Sequence, residues 1–121
     1  ALLPRARPVA AQGATPEAGT TRLVRDLTGR EVEVPAAPIR VVALDPGITV
    51  VHLVDLGIVP VGAATDDTNP NGRFSPVIDD VSAGIADVGL VGSVSLEQVA
   101  ALRPDLILFA TPYQDIPVDR L

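Results

Sequence analysis

Apolar and charged residues alternate between positions 22 and 34, on either side of a short turn that contains Thr28 and Gly29. Alternation with a period of two residues is typical of a strand with one buried and one solvated face, and a glycine-containing turn between two such stretches predicts a β-hairpin. Pro35 and Pro38 follow. Because proline has no backbone N–H to donate to a neighbouring strand, we expect the hairpin to end there.

The next segments predict a strand, a helix and a second strand. Residues 39–44 form a mostly apolar, β-branched run, which favours a strand of a parallel sheet that is covered on both faces. Residues 48–56 carry apolar side chains at roughly helical spacing and are followed by Gly57, a natural C-terminal cap. Residues 58–64 predict the second strand, so that the three elements make a βαβ unit with parallel strands.

The remainder of the chain repeats this alternation after a long polar segment. Residues 65–86 are rich in turn-forming residues, with a single helical turn expected at 77–81, and a connection of this length is usually functional or mobile. Ser95 is placed to cap a helix that ends near Leu102, with Glu97 in its first turn. After Arg103-Pro104-Asp105, residues 106–110 predict a third buried strand.

Together these elements predict an α/β fold: a Rossmann-like lobe with a parallel sheet, flanking helices and an N-terminal β-hairpin. A chain of 121 residues that is 47% apolar has room for one domain, which we assign to residues 22–121. Residues 1–21 are rich in Ala, Pro, Gly and Thr and predict a flexible linker. The chain begins with Ala1, which indicates a processed chain or a fragment. The linker is typical of the segment that follows an export signal or a lipid-attachment site. A cloning remnant or a cytosolic terminus would have the same composition.

Composition excludes several classes of chemistry. The formal charge is −6, with a net +2 in residues 1–40 and −8 in residues 41–121, and this acidity argues against a nucleic-acid surface. The absence of Cys removes disulfides, zinc clusters and thiol nucleophiles, and the single His52 is expected to be a surface or packing residue. The acidic pairs at 66–67 and 79–80 lack the spacing of a calcium loop, and Gly84, Gly89 and Gly92 do not form a phosphate-binding pattern. We therefore predict neither a catalytic residue, nor a metal site, nor a bound cofactor.

Three groups of residues, taken in order, point to a known family. They are residues 26–32 (DLTGREV) with Pro35 and 38–44 (PIRVVAL), residues 56–62 (LGIVPVG), and residues 87–89 (DVG) with 95–107 (SLEQVAALRPDLI). In this order and spacing they resemble the periplasmic substrate-binding proteins of ABC importers for ferric siderophores, haem and cobalamin. The resemblance spans residues 22–113, and the last helix with Arg103-Pro104-Asp105 and the following strand is its most specific part.

The resemblance implies a two-lobed periplasmic binding protein that holds its ligand between the lobes, with this chain as the N-terminal lobe. Independently of the family, open α/β sheets bind ligands at the carboxyl ends of their strands. Here those ends are segments 45–47, 65–67 and 111–114, together with 91–93. The candidate ligand-binding residues at or near this edge are Asp45, Pro46, Thr65, Asp66, Arg73, Phe74, Tyr113 and Gln114.

Some candidates have a competing interpretation. Tyr113 is expected either to stack on or hydrogen-bond the ligand or to pack against the other lobe. Arg73 is expected either to pair with anionic oxygens of a siderophore or to be a solvated loop residue. Phe74 is expected to be either an aromatic side chain of the cleft or a plug under the loop. The resemblance also assigns Glu97 to docking on the permease, although a first-turn Glu is favoured by the helix dipole in any case.

The function that follows is capture of a ferric siderophore or related iron chelate, outside the cytoplasm, for ABC-type import. The partners are the chelate and the importer permease, with membrane association only through an N-terminal lipid anchor. A haem- or cobalamin-binding member of the family is one alternative, although Thr49-Val50 departs from the Thr-Glu typical of cobalamin binders and only Tyr113 offers an axial haem ligand. The other alternative is an enzyme-associated α/β nucleotide-binding half-domain or a sensor domain of the same fold. A nucleotide-binding domain would carry three glycines after its first strand, whereas residues 44–48 contain one.

Overall fold

The computed structural model of the protein describes residues 19–110. This part of the chain divides into two compact units, with the boundary between Ala37 and Pro38. Its elements are β1 (Thr21–Arg25), β2 (Glu31–Pro35), β3 (Val41–Ala43), α1 (Ile48–Asp55), β4 (Gly62–Thr65), a 3₁₀ turn (Pro76–Ile78), α2 (Asp79–Ser82), β5 (Ala86–Leu90), β6 (Ser93–Val94), α3 (Leu96–Ala101) and β7 (Leu106–Leu108). None of the helices in this range is long and apolar enough to cross a bilayer.

The first unit contains the predicted hairpin. Strands β1 and β2 pair antiparallel, from Thr21 opposite Pro35 to Arg25 opposite Glu31. The connecting turn is held by Asp26, whose Oδ1 accepts hydrogen bonds from the Thr28 hydroxyl at 2.6 Å and from the backbone N–H of Thr28 at 2.9 Å. These bonds, led by the one from the hydroxyl, lower the pKa of Asp26.

The expectation that the hairpin buries one face is wrong. All five residues of β1 are exposed, and Leu23 is 70% exposed. A two-stranded ribbon buries an apolar face only when a further layer packs on it. The alternating pattern therefore identified the strands correctly but not their burial.

The second unit is a five-stranded sheet in the order β6-β5-β4-β3-β7. Strands β3, β4, β5 and β7 are parallel, and β6 pairs antiparallel with β5 at one edge. The chain moves outward from β3 through β4 to β5, and then crosses back to place β7 on the other side of β3. The direction of winding thus reverses between β3 and β7, which makes that gap the switch point of the sheet.

Apolar layers cover both faces of this sheet. One face carries α1 and the 3₁₀ turn, and its core contains Val41, Val50, Leu53, Phe74 and Ile78. The other face carries α3, and its core contains Val42, Leu44, Ala64, Val88 and Val99. Adjacent residues of β3 therefore point into opposite layers, which explains why this strand is an uninterrupted apolar run.

Helix α1 ends as predicted at Gly57, which adopts φ +80°. The N–H of Gly57 donates to the Val54 carbonyl at 2.9 Å, and the N–H of Ile58 donates to the Leu53 carbonyl at 2.8 Å. This pair of bonds is a Schellman motif and requires a left-handed residue at the position that glycine occupies. Val50 and Leu53 are the buried residues of the helix, Val51 and Val54 pack against the same core, and Ile48 is exposed.

Two strands were not predicted at all. Strands β5 and β6 form a tight antiparallel hairpin that Gly89 makes possible, since it adopts φ +106° and a Cβ there would lie 2.9 Å from the Ser93 carbonyl oxygen. The polar and glycine positions of segment 86–94 hide the short apolar pattern of these strands. The strand predicted over residues 58–64 is shorter in the structure. Strand β4 begins at Gly62, and the preceding Ile58 and Val59 are exposed.

The segments Ile39-Arg40 and Arg103-Pro104-Asp105 bond to each other at the start of β3 and β7. The Asp105 carboxylate accepts the N–H of Ile39 at 2.8 Å and that of Arg40 at 2.9 Å. In return, the Arg40 guanidinium donates to the Leu102 carbonyl from Nη2 at 2.6 Å and from Nε at 2.9 Å. A positive charge thus lies at the C-terminus of α3, where the helix dipole favours it. This reciprocal contact holds β7 beside β3.

Candidate functional site

The carboxyl ends of the four parallel strands lie along one edge of the sheet, which we call the rim. It comprises residues 45–47 after β3, 66–67 after β4, 91–92 after β5 and 109–110 after β7. Three apolar side chains beside or within it are exposed, Ile48 by 64%, Leu90 by 42% and Val91 by 36%, although exposed apolar side chains such as Ile39 and Leu56 also lie elsewhere in this unit. The rim is the candidate site because open α/β sheets bind their ligands at this edge.

Asp45 is at the rim, but its carboxylate also holds the start of α1. Its Oδ1 accepts hydrogen bonds from the N–H groups of Gly47 at 3.0 Å, Ile48 at 2.8 Å and Thr49 at 3.3 Å. These are the donors that a nucleotide-binding fold offers to phosphate. A carboxylate that occupies them repels a second anion, so the geometry argues against the nucleotide-binding half-domain. The neighbouring Pro46 is buried.

Asp66 lies at the end of β4 and forms a local turn. Its Oδ1 accepts the N–H of Thr68 at 2.9 Å and the Thr68 hydroxyl at 2.7 Å. These bonds, with that from the backbone N–H the strongest, lower the pKa of Asp66, so the carboxylate is ionised at neutral pH. The adjacent Asp67 is exposed, and both acids therefore bring negative charge to the rim.

Thr65 is inside the sheet and not on the surface of the rim. It is buried, and its hydroxyl lies 3.3 Å from the Gly89 carbonyl oxygen and 3.4 Å from Oδ1 of Asp87. Asp87 also accepts the Gly89 N–H at 2.7 Å. The threonine thus ties β4 to the bend in β5. Its burial and these partners favour a role within the sheet over contact with a ligand.

Phe74 and Arg73 are also placed differently from the expectation. The Phe74 ring is 0% exposed and belongs to the core beneath α1, so the interpretation as a plug under the loop is the one that the structure supports. Nη2 of Arg73 donates to the Ile85 carbonyl at 3.0 Å, and its Cζ lies 4.8 Å from the centre of the Phe74 ring. Ile85 directly precedes β5, so the guanidinium points to the amino ends of the strands. It is directed away from the rim because a carbonyl and an aromatic face bind it there.

The remaining predicted residues divide between the surface and the undescribed terminus. Glu97 is exposed in the first turn of α3, and Ser95 caps this helix as predicted, with its hydroxyl accepting the Gln98 N–H at 3.3 Å. His52 is exposed, as expected for a surface residue. Tyr113 and Gln114 lie outside the described residues. Within residues 19–110 no three His, Asp or Glu side chains are grouped to hold a metal ion.

Comparison with known proteins gives concordant results. No protein-family model matches the chain. A putative ABC transporter substrate-binding lipoprotein of Bacillus subtilis, YhfQ, is 36% identical over 91 residues, which are 75% of this chain and 28% of the relative. Staphylococcus aureus SirA, solved in complex with staphyloferrin B, is 32% identical with a TM-score of 0.63, over 72% of this chain and 28% of SirA.

Two further solved structures share the fold. Holo-ViuP matches with a TM-score of 0.58, and DesE, a ferric-siderophore receptor protein from Streptomyces coelicolor, with 0.56; each is 22% identical to this chain. The chain covers 71% and 70% of its own length in these two matches and 28% of each neighbour. Among these proteins, YhfQ is named as a substrate-binding lipoprotein and DesE as a ferric-siderophore receptor protein. In sequence, this chain is therefore similar to part of an ABC transporter substrate-binding lipoprotein, and in fold to part of solved proteins that include a staphyloferrin B complex and a ferric-siderophore receptor, with 28% of the length of each covered.

Proposed function

We propose that the protein binds a ferric siderophore or a related iron chelate outside the cytoplasm and delivers it to an ABC importer, and that this chain supplies the N-terminal lobe. The observation that carries the proposal is the match to SirA, which shares 32% sequence identity at a TM-score of 0.63 and was solved with a bound siderophore. The relative YhfQ, named as a substrate-binding lipoprotein, supports the same function.

The geometry of the rim is compatible with a ligand that brings its own metal ligands. In a ferric chelate the chelator supplies the oxygen atoms that iron(III) prefers, so the protein has to recognise the outside of the complex. The rim offers exposed apolar side chains and carboxylates for such contacts, at the switch point where open α/β sheets bind small molecules. Of the predicted ligand-binding residues, Asp45, Asp66, Tyr113 and Gln114 remain candidates for this contact.

Glu97 is the proposed contact to the permease. It lies on the exposed side of α3, while Val99 on the same helix is buried in the core, so the helix presents the carboxylate on a rigid, capped element. An exposed acid on such an element suits an arginine on a partner, because a rim charge adds specificity and association rate without a large cost in desolvation. A lipid anchor preceding residues 1–21 would hold the protein at the membrane beside that permease.

Calorimetric titration of the full-length protein tests the function. The panel consists of ferric hydroxamate, catecholate and carboxylate siderophores, haem and cobalamin, each with its metal-free form as the control where one exists. We expect tight binding of at least one ferric siderophore and much weaker binding of the same chelator without iron. Binding of haem or cobalamin alone would replace the proposal by the corresponding alternative, and failure with every compound would overturn it.

A further inference from the structure

Two of the three arginines of residues 38–110 lie at the amino ends of the parallel strands, and the third directs its guanidinium toward that end. Arg40 directly precedes β3, and Arg103 lies between α3 and β7. Arg73 belongs to the loop after β4, where its carbonyl accepts the N–H of Asp66 at 2.8 Å, but its guanidinium bonds to the Ile85 carbonyl just before β5. Within residues 38–110, no guanidinium is therefore bonded at the rim.

The rim carries the opposite charge. Asp45 and Asp66 follow β3 and β4, which are neighbours in the sheet, and Asp67 is exposed next to Asp66. Neighbouring strands are about 4.8 Å apart, so these carboxylates border one small area. The exposed side chains of Ile48, Leu90 and Val91 adjoin the same edge and offer apolar contact to a ligand, independently of the charges.

We propose that this lobe selects its ligand by charge, so that a cationic or neutral ferric chelate binds better than an anionic one of the same shape. The inference rests on the proposed function, because it concerns the ligand of that same site. An anionic chelate at the rim would lose water and meet carboxylates, with no guanidinium of residues 38–110 bonded there to compensate. Repulsion of the wrong ligand in this manner is an efficient source of specificity.

A matched series of ligands tests the selection. It consists of one linear ferric trihydroxamate with a free terminal amine, the same complex after N-acetylation and the same complex after N-succinylation, which are cationic, neutral and anionic respectively. We expect the affinity of the full-length protein to fall in that order, by about fivefold for each step in charge. Added salt should weaken binding of the cationic form and strengthen binding of the anionic form.

Two variants locate the effect at the rim. Asp67→Asn removes an exposed carboxylate at the rim and should reduce the preference for the cationic over the anionic complex by about fivefold. Asp55→Asn makes the same change in charge at the last residue of α1, which lies at the opposite end of the sheet, and should leave the preference unchanged.

The outcomes separate this inference from the function on which it rests. If the succinylated complex binds as well as the complex with the free amine, or if a ferric tricatecholate binds more tightly than either, charge selection is refuted while the proposed function stands. An equal loss of preference in both variants also refutes it, since the effect is then one of total charge. If no ferric chelate binds at all, the proposed function fails, and the inference fails with it.

Discussion

Removing the Asp105 carboxylate should weaken the junction between β3 and β7. Each of its oxygens accepts one backbone N–H, that of Arg40 at 2.9 Å and that of Ile39 at 2.8 Å. A hydrogen bond to a charged acceptor contributes about 1.5–3 kcal/mol when buried, but this site is exposed, so about 1 kcal/mol for each bond is the better figure. In Asp105→Ala the freed N–H groups turn to water, and no penalty for an unpaired buried donor adds to the loss. We therefore expect a decrease of about 2 kcal/mol in the free energy of unfolding.

Urea unfolding followed by far-UV circular dichroism measures this loss. With a slope near 1 kcal/mol per molar urea, the midpoint should fall by roughly 2 M with the slope unchanged. Asp105→Asn retains one acceptor oxygen and should show about half of the effect. Asp55→Ala removes an exposed acid whose side chain makes none of the hydrogen bonds found in the described residues, and is the control. A midpoint for Asp105→Ala equal to that of Asp55→Ala would refute the assignment of the junction to this carboxylate.

Three further predictions follow from single residues. Glu97→Arg should abolish uptake of the ferric chelate by cells while calorimetry gives unchanged affinity, whereas Asp55→Arg should leave both unchanged; normal uptake with Glu97→Arg would contradict permease docking. Arg103 adopts φ +47° after α3, where glycine is favoured, so Arg103→Gly should stabilise the fold by roughly 0.5–1 kcal/mol in urea unfolding, and a loss of stability would be the contrary result. The lowered pKa values of Asp26 and Asp66 mean that their stabilising effect is complete above about pH 4 and is lost as the pH falls through the lowered values, so the urea midpoint should decrease in acid, and by less when both are changed to Asn.

The sequence predicted the fold well because its strongest patterns are those of continuous burial and of helix ends. The apolar run before Asp45 became the central strand, Gly57 became the left-handed residue after α1, and Ser95 became the cap of α3. The hairpin of β5 and β6 was missed because its pairing depends on the φ of +106° at Gly89, which the apolar pattern does not encode. Backbone conformation at a single glycine thus decided the part of the sheet that periodicity could not predict.

The candidate site was predicted less well, since a polar residue at the end of a strand has two competing uses. It either faces a ligand or satisfies the backbone around it, and spacing alone does not distinguish the two. Asp45 bonds to the start of α1, Thr65 bonds within the sheet, and Arg73 bonds to a carbonyl at the far end of β5. The topology located the rim correctly as an edge of the sheet, but the hydrogen bonds decide which of its side chains are available.

The residues that carry the resemblance to the family are those that hold the lobe together. Asp105 joins β7 to β3, Asp87 accepts the N–H of Gly89 at the bend of β5, and Gly57 ends α1. Such residues are constrained by the fold whatever the ligand is. A match at these positions therefore indicates the fold but says little about which ligand the protein binds. The identity of the ligand has to come from the side chains of the rim, which are free to differ between members of one fold. Within residues 38–110, the guanidinium groups are bonded away from the rim carboxylates, and this arrangement of charge is not needed to maintain the fold. The series of chelates that differ only in charge measures its effect on binding directly.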